Sequence, residues 1–282
     1  MLVQFGLEVQ LIPRPSVAKE LVLSEKSKFQ AVVVIPTYNE ALNIEGIINA
    51  AWASMPKLHI LVVDDNSQDG TGDIIRRMQA DEEGQEREKE KDGEWAVGRL
   101  HLLSRAGKLG LGTAYIAGFE WALARGYQAL VEMDADFSHD PKELPSLIRS
   151  LQDADVVIGS RYVVGGSTEN WHFFRKLISK AGSLYARTIL GMTVKDLTGG
   201  FNAWTAEALH KIGLKTIRSE GYSFQIELKY RAYRADLKLI EHPIVFSERR
   251  EGQSKMSSRI VLEALLRVWS LRFQSELKSS EK

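Results

Sequence analysis

The sequence predicts an α/β fold with a mostly parallel central sheet, and three observations predict it. Short apolar runs alternate along most of the chain with longer segments of helical spacing. The first two runs, 31–36 and 59–65, are largely apolar, as in strands that are buried on both faces. Strand follows helix repeatedly, and parallel neighbours need such crossover connections.

Each predicted strand is one of these apolar runs. AVVVIP and HILVVDD come first and are rich in β-branched residues, which favour strands. In chain order, the predicted strands are 31–36, 59–65, 99–105, 127–136, 154–162 and 237–246.

The helices are predicted from apolar residues three and four positions apart. The first carries Ile44, Ile47 and Ile48 at that spacing, and the second has Asp69 or Thr71 as a cap. A proline stands near the start of the fourth, where its missing N–H costs nothing. In chain order, the predicted helices are 40–55, 69–79, 112–125, 141–151, 171–190, 218–234 and 259–277.

Composition excludes several classes of protein. The chain has 282 residues, and its 37 basic and 37 acidic side chains cancel, so we expect no nucleic-acid partner. The absence of cysteine excludes disulfides and thiolate metal sites. The chain contains no run of about 18 apolar residues, and its first residues lack the apolar core of a signal peptide. We therefore expect any membrane contact to be peripheral.

Composition also predicts how the chain is divided. We interpret 1–28 as an N-terminal extension, 29–255 as the α/β catalytic domain, and 256–282 as a C-terminal amphipathic helix and tail. Within the domain, 80–95 is almost wholly charged, which predicts a solvated loop or a frayed helix extension, with a partner-binding segment as the alternative. Segment 167–191 contains a long basic, amphipathic helix.

Paired acids stand at the ends of two predicted strands. Asp64 and Asp65 end the second strand, and Asp134 and Asp136 end the fourth, on one side of an extended chain. Ligands of open α/β sheets bind beyond the carboxyl ends of the strands. Two convergent carboxylates suit a hard cation such as Mg²⁺ or Mn²⁺, which also bridges phosphate oxygens. Alternatively, these acids cap the next helix or pair with surface arginines.

A glycine-rich segment, RAGKLGLGTA, precedes a predicted helix. Gly110 and Gly112 open that helix with Lys108 just before them, and backbone amides at a helix start favour anions. The segment lacks the spacing of a Walker loop, and Tyr115 replaces the third glycine of a dinucleotide fingerprint. The glycines are also compatible with simple turns.

Nine segments, in this order, together resemble the polyprenyl-phosphate (dolichol-phosphate) mannose synthase branch of glycosyltransferase family two. They are VVVIPTYNEALNI, VVDDNSQDGT, RAGKLGLGTAY, VEMDADFSHDP, VIGSRYVVGG, NWHFFRKLISKAG, DLTGGFNAW, GYSFQIE and REGQSK. The resemblance implies a GT-A (Rossmann-like) nucleotide-sugar transferase fold and an Mg²⁺ or Mn²⁺ cofactor. It also implies GDP-mannose as donor, polyprenyl or dolichyl phosphate as acceptor, and a β-linked product formed with inversion.

Two other functions stay open at this point. A polyprenyl-phosphate glucosyl- or other hexosyltransferase that uses a UDP-sugar would share the fold and the phosphate sites. A non-catalytic protein that binds nucleotide sugars is the alternative from another class, although the intact Asp134-Ala135-Asp136 triplet and the arginines argue against it.

The resemblance also implies roles for individual residues. Asp134 and Asp136 match the acids that hold the metal on the diphosphate, while Arg161, Arg175 and Ser179 match positions that hold the acceptor phosphate. With Lys108 and Gly112 from the glycine-rich segment included, the expected donor contacts are Pro36, Tyr38, Glu40, Asp65, Lys108, Gly112, Asp134, Asp136, Arg249 and Lys255. The expected catalytic residues are Asp136, Arg161, Arg175 and Arg249.

The chain departs from the family pattern at two points. Ser138 stands at the third metal position, where glutamine is usual, so its ligation stays open, with His139 or water as alternatives. The C-terminal transmembrane helices of some relatives are missing, which suggests a soluble-bodied subtype. His139 is also the nearest candidate for a general base. Alternatively, it is a loop residue that caps the next helix. An acceptor phosphate is already anionic at neutral pH and needs no base.

Two predicted helices have a composition typical of a membrane surface. Segments 171–190 and 259–277 combine apolar faces with arginine and lysine, although both also fit core-facing helices with basic edges. We expect peripheral attachment to the cytoplasmic face of a membrane, directly or through a separate tethering subunit. That membrane is the plasma membrane in a prokaryote or the endoplasmic reticulum in a eukaryote.

Overall fold

The computed structural model of the chain describes residues 29–89, 98–171, 173–248 and 265–273. These residues contain a seven-stranded sheet and a two-stranded sheet. The large sheet consists of β1 (Ala31–Thr37), β2 (His59–Asp64), β3 (Leu100–Ser104), β4 (Ala129–Glu132), β5 (Val156–Ser160), β7 (Asn202–Thr205) and β8 (Leu239–Pro243). The small sheet consists of β6 (Ser167–Thr168) and β9 (Val245–Phe246).

Helices flank the large sheet. They are α1 (Ile44–Ser54), α2 (Thr71–Lys89), α3 (Leu111–Leu123), α4 (Leu144–Ser150), α5 (Phe173–Leu190), α6 (Ala206–Ile212), α7 (Gly221–Arg234) and α8 (265–273). Single 3₁₀ turns occupy Pro141–Glu143 and Leu214–Thr216. Within the described part of the chain, no helix has both the length and the apolar character needed to cross a bilayer.

The sheet is apolar on both faces, which explains why its strands are continuous apolar runs. Val32 and Val34 of β1 pack in one hydrophobic cluster with α3, α6 and α7. Val33 and Ile35 point the other way and pack in a second cluster with α1 and α4. The two clusters are separate because alternate side chains of a strand face opposite sides of the sheet. With helices packed on both faces, the predicted α/β architecture is confirmed.

The strand order is β3-β2-β1-β4-β7-β5-β8, and β7 runs antiparallel to both β4 and β5. Because of this reversal, β7 begins at the edge of the sheet where β4 and β5 end: Asn202 pairs with Ile158, and Ala203 with Val131. The loop before β7, residues 196–200, therefore reaches the carboxyl edge of the sheet, where ligands of such folds bind.

Several predicted elements differ from the structure. Neither β7 nor α6 was predicted. The fourth strand ends at Glu132 rather than at Asp136, so the acid triplet lies in a loop. Helix α2 continues to Lys89, so residues 80–89 of the charged segment are a helix extension, the second of the two forms expected for them, rather than a loop.

The charged segment is also less solvated than expected at its start. Glu82 is buried, and its carboxylate accepts a 2.7 Å hydrogen bond from Arg99 Nε. The predicted extension 1–28 lies outside the described residues, as do 90–95 of the charged segment and most of 256–282.

Candidate active site

A cavity of about 400 Å³ opens beyond the carboxyl ends of β1, β4 and β5. It also meets the 196–200 loop and helices α3, α5, α7 and α8. The predicted site residues that line it are Pro36, Tyr38, Glu40, Asp65, Lys108, Asp134, Asp136, Arg161 and Ser179. The structure thus brings these nine expected residues to one cavity, although they come from segments far apart in sequence.

The acid triplet forms a tight loop on the cavity wall. Phe137 has a φ of 61°, and the backbone N–H of Ser138 donates to Asp136 Oδ1 at 3.0 Å. The backbone N–H of Asp134 donates to His139 Nδ1 at 3.0 Å, and the Tyr115 hydroxyl donates to Asp134 Oδ1 at 3.2 Å. These bonds hold both carboxylates on the cavity wall.

His139 supports this loop from inside the protein. It is 1% exposed, and its ring stacks on Phe201 with centroids 4.8 Å apart. Because Nδ1 accepts the Asp134 amide proton, that nitrogen carries no proton in this arrangement. The expected helix cap is instead Asp140, whose Oδ1 accepts from the backbone N–H of Lys142 at 3.0 Å.

The acid pair fits a divalent cation that also binds a diphosphate. Both carboxylates line the cavity, and magnesium is often held by one or two carboxylates with phosphate and water oxygens in the other positions. Among the described residues, no group of three or more His, Cys, Asp or Glu side chains could hold a metal. Ser138 does not line the cavity, and its buried hydroxyl has no partner among the described residues.

At the end of the cavity where we expect the donor, called here the donor end, Asp65 is already paired inside the protein. Arg105 binds it in a bidentate manner, with Nε 2.6 Å from Oδ1 and Nη2 2.8 Å from Oδ2. The backbone N–H of Leu109 donates to Oδ2 at 3.1 Å. Arg105 was not assigned a role in the sequence analysis, although it begins the glycine-rich segment. The pair anchors that segment, whose Lys108 ammonium lies 4.4 Å from the centroid of the Tyr38 ring.

The two glycines of this segment serve different purposes. Gly110, with a φ of 101°, lines the cavity and makes the turn into α3. Gly112 is buried away from the cavity, and a Cβ there would lie 2.8 Å from the Phe224 ring. The expected donor contact at Gly112 is therefore a packing position in this structure.

At the end of the cavity where we expect the acceptor phosphate, called here the acceptor end, Arg161 is buried and lines the cavity. Its Nε and Nη2 atoms each lie 2.7 Å from an Asp196 oxygen, and Nη2 also donates to Thr198 Oγ1 at 2.9 Å. Burial would raise the pKa of Asp196, but the Arg161 guanidinium outweighs burial and holds that pKa below its usual range. Arg161 is thus rigidly oriented, and its charge is partly offset.

The other expected acceptor residues are described to different extents. Ser179 Oγ accepts a hydrogen bond from the Tyr162 hydroxyl at 2.7 Å and lines the cavity. Arg175 belongs to α5, but its side chain lies outside the described residues. Arg249 and Lys255 also lie outside the described residues.

A buried polar network lies beneath the cavity, and the sequence analysis did not predict it. Glu132 is 0% exposed and accepts hydrogen bonds from Trp204 Nε1 at 2.6 Å, Asn202 Nδ2 at 3.3 Å, and Gln225 Nε2. Burial raises the pKa of Glu132 to about 7, against the opposing effect of these donors. Lys229 is also fully buried. Three of the quoted segments contain these residues or border them, but nothing local in them signals the network.

Part of the cavity wall is largely apolar. Ile178 and Tyr185 of α5 line it together with Leu265 and Val268 of α8. The same two helices expose large apolar side chains. They are Leu177, Ile178 and Leu184 on α5, and Leu266, Trp269 and Phe273 on α8.

The family model named Glycosyl transferase family 2 matches residues 32–213. The polyprenol monophosphomannose synthase of Mycolicibacterium smegmatis is 43% identical over 247 residues, which cover 86% of this chain and 88% of that protein. The undecaprenyl-phosphate mannosyltransferase of Micrococcus luteus is 44% identical over 244 residues, which cover 86% of this chain and 94% of that protein.

A solved structure supports the fold. Glucosyl-3-phosphoglycerate synthase from Mycobacterium tuberculosis, in complex with Mn²⁺, UDP and glucosyl-3-phosphoglycerate, superposes with a TM-score of 0.61. The superposition covers 94% of this chain and 86% of that one at 17% identity, and it therefore concerns the fold alone. The extended family match and the two relatives confirm the resemblance: the chain belongs to glycosyltransferase family 2.

Proposed function

We propose that this protein transfers mannose from GDP-mannose to the phosphate of a polyprenol, with inversion at the anomeric carbon. One observation carries the proposal: a single cavity joins the Asp134/Asp136 pair to the buried Arg161 and is also lined by two helices, α5 and α8, that expose large apolar side chains. The names of the two relatives, which match over most of the chain, agree with this reaction class.

The reaction needs two anions to approach each other. An oxygen of the acceptor phosphate attacks the anomeric carbon while the bond from that carbon to the diphosphate oxygen breaks, and GDP leaves. The attacking oxygen is already anionic, so the protein need not remove a proton. This agrees with the geometry of His139, whose Nδ1 is engaged by the Asp134 backbone.

The donor end would bind the diphosphate and the nucleoside. Asp134 and Asp136 would hold Mg²⁺ or Mn²⁺, which, when bound, offsets negative charge on the departing diphosphate. Lys108 stands over the Tyr38 ring at the cavity wall and adds a positive charge there. We propose Pro36, Glu40 and the Asp65–Arg105 pair as the walls around the nucleoside, with Arg249 and Lys255 assisting the phosphates as the resemblance implies.

The acceptor end would orient the lipid phosphate. Arg161 enters the cavity wall with its guanidinium plane already set by Asp196 and Thr198, which reduces the ordering cost of a charge-assisted bond. Ser179, held by Tyr162, is a second polar group on that side. We assign Arg175 to the same phosphate on the strength of the resemblance.

The prenyl tail requires a membrane surface. The two helices that line the cavity, α5 and α8, also expose apolar side chains, and Lys176, Lys180 and Arg187 lie on α5. Such a surface suits peripheral binding to anionic lipid. We expect the purified protein to sediment with phosphatidylglycerol vesicles, and Trp269→Asp, at a position 46% exposed, to weaken sedimentation several-fold. Equal recovery of the wild-type protein in the supernatant with and without vesicles would contradict this attachment.

A donor panel tests the reaction. The protein is incubated with polyprenyl phosphate, Mg²⁺ or Mn²⁺, and radiolabelled GDP-mannose, UDP-glucose or UDP-N-acetylglucosamine. We expect label in the organic phase from GDP-mannose alone. Label from a UDP-sugar instead would select the hexosyltransferase alternative. Tight donor binding with no transfer from any donor would select a non-catalytic binding protein.

A further inference from the structure

Lys229 is a lysine that the proposed chemistry does not use. It lies on α7 and is 0% exposed. Burial lowers its pKa to about 8, although the nearby Asp196 and Glu132 carboxylates act in the opposite direction. Burying an ammonium group is costly, and an apolar side chain of similar length would fill the same space without that cost. The ammonium group must therefore have a use that an apolar side chain lacks.

Its hydrogen bonds lead to the 196–200 loop. Lys229 Nζ donates to Gly199 O at 2.6 Å and lies 3.4 Å from Leu197 O. These carbonyls flank Thr198, whose hydroxyl accepts from Arg161. Asp196, at the start of the same loop, binds the other atoms of that guanidinium. One buried ammonium group thus holds the backbone between the two side chains that orient Arg161.

The loop is tightly constrained around this point. The Gly199 N–H donates to Asp196 Oδ1 at 3.0 Å. A Cβ on Gly199 would lie 3.3 Å from Gly159 O, so the loop packs close to the end of β5. Because Arg161 directly follows that strand, a shift of the loop would be felt at the guanidinium.

The carbonyl of Gly199 has a second partner. Gly199 O also accepts from Asn202 Nδ2 at 3.2 Å, and the same amide group contacts Glu132. Glu132 is held as well by Trp204 and Gln225, which do not depend on Lys229. Loss of the Lys229 bonds should therefore move the 196–200 loop rather than the strand that leads to the acid triplet.

We propose that Lys229 is a positioning residue for the acceptor phosphate: from inside the core, its ammonium group holds the 196–200 loop so that Asp196 and Thr198 present Arg161 to the cavity. This inference rests on the proposed transfer to polyprenyl phosphate. It assigns to the buried lysine a role in acceptor use, distinct from the cation and donor contacts.

Steady-state kinetics of Lys229→Met test it. This variant keeps the length of the side chain and loses its charge and donors. We expect the KM for polyprenyl phosphate to rise about tenfold or more, with the KM for GDP-mannose within about twofold of wild type. Lys211→Met, at an exposed position of α6, is the matched control and should leave both constants unchanged. A purely structural role would lower the amount of active enzyme without changing the ratio of the two KM values.

Two further variants keep the test decisive. If Lys229→Met does not fold, Lys229→Arg takes its place, and its larger head group should raise the acceptor KM alone. Thr198→Val removes the hydroxyl that accepts from Arg161, and combined with the folded Lys229 variant it should raise the acceptor KM by less than the product of the single effects. Multiplicative effects, or an unchanged acceptor KM in every folded Lys229 variant, would overturn this inference alone. A wild-type enzyme that transfers no sugar to polyprenyl phosphate would overturn the proposed function and this inference together.

Discussion

The two ends of the cavity are built in different ways. At the donor end, the acid loop is held largely by bonds within itself, Ser138 to Asp136 and Asp134 to His139, with one bond from Tyr115 of α3. At the acceptor end, Arg161 depends on Asp196, 35 residues along the chain. The backbone N–H of Asp196 in turn donates to Glu241 Oε1, a further 45 residues on.

Because of this difference, substitutions at the two ends should have different effects on turnover and on stability. A carboxylate of the acid loop can be replaced with little effect on the fold, because most of its hydrogen bonds lie within that loop and the strands beneath it are held by apolar packing. An acceptor-end side chain belongs to a network of buried ions, where removing one partner leaves another charge uncompensated. Substitutions in the acid loop should therefore lower turnover more than stability, whereas substitutions in the buried network around Arg161 should lower stability strongly.

The largest expected effect is on turnover at the donor end. Asp136→Asn removes a carboxylate that we assign to the cation, and it should lower kcat about 1,000-fold or more in the radiolabel assay. The midpoint of thermal unfolding should change by only a few degrees. Asp140→Asn, on the same loop but exposed, is the control and should retain near wild-type turnover. Substantial turnover by Asp136→Asn would remove the cation assignment.

The next effect is on stability at the acceptor end. Asp196→Asn leaves the Arg161 guanidinium buried without its carboxylate, and should lower the free energy of unfolding by about 3 kcal/mol in urea titrations. Asp73→Asn breaks the pair with Arg76, whose side chains are 81% and 59% exposed, and should cost less than about 1 kcal/mol. Similar losses in the two variants would mean that the acceptor end is not held by its buried pair.

A smaller effect concerns the exposed cation of the donor end. Lys108→Met removes the ammonium group above the Tyr38 ring and should raise the KM for GDP-mannose about three- to tenfold, with the acceptor KM unchanged. Lys142→Met, exposed and outside the cavity, serves as the control. A rise in the KM for polyprenyl phosphate instead would contradict the assignment of Lys108 to the donor end.

The smallest effect concerns β3, the strand at one side of the large sheet, which contributes to neither end of the cavity. His101 contacts Tyr127 at 3.3 Å, and burial lowers its pKa from 6.5 to about 4. The unfolded chain binds the proton first as pH falls, so stability should decrease from about pH 6.5 down to about pH 4. His101→Gln should flatten this part of the stability curve in thermal unfolding. A curve unchanged by this substitution would locate the acid sensitivity elsewhere.

The sequence predicted the donor half of the molecule better than the acceptor half. Strands such as β1 and β2 are continuous apolar runs, and the acid triplet follows a strand directly, so local pattern was sufficient. β7 was missed because it is four residues long and interrupts the β-α alternation with an antiparallel strand. Gly112 was assigned to the donor, and only packing against Phe224 revealed its role.

By itself, the sequence determined the α/β alternation, the position of the carboxylates at the sheet edge, and the resemblance that the family match confirmed. These follow from periodicity and short motifs, which act within a few residues. Tertiary structure alone decided that Arg161 is paired with Asp196, that Asp65 is occupied by Arg105, and that Lys229 lies buried beneath the loop. Such pairings depend on which distant segments come together when the chain folds, because a buried charge is stable only where a partner from another element reaches it.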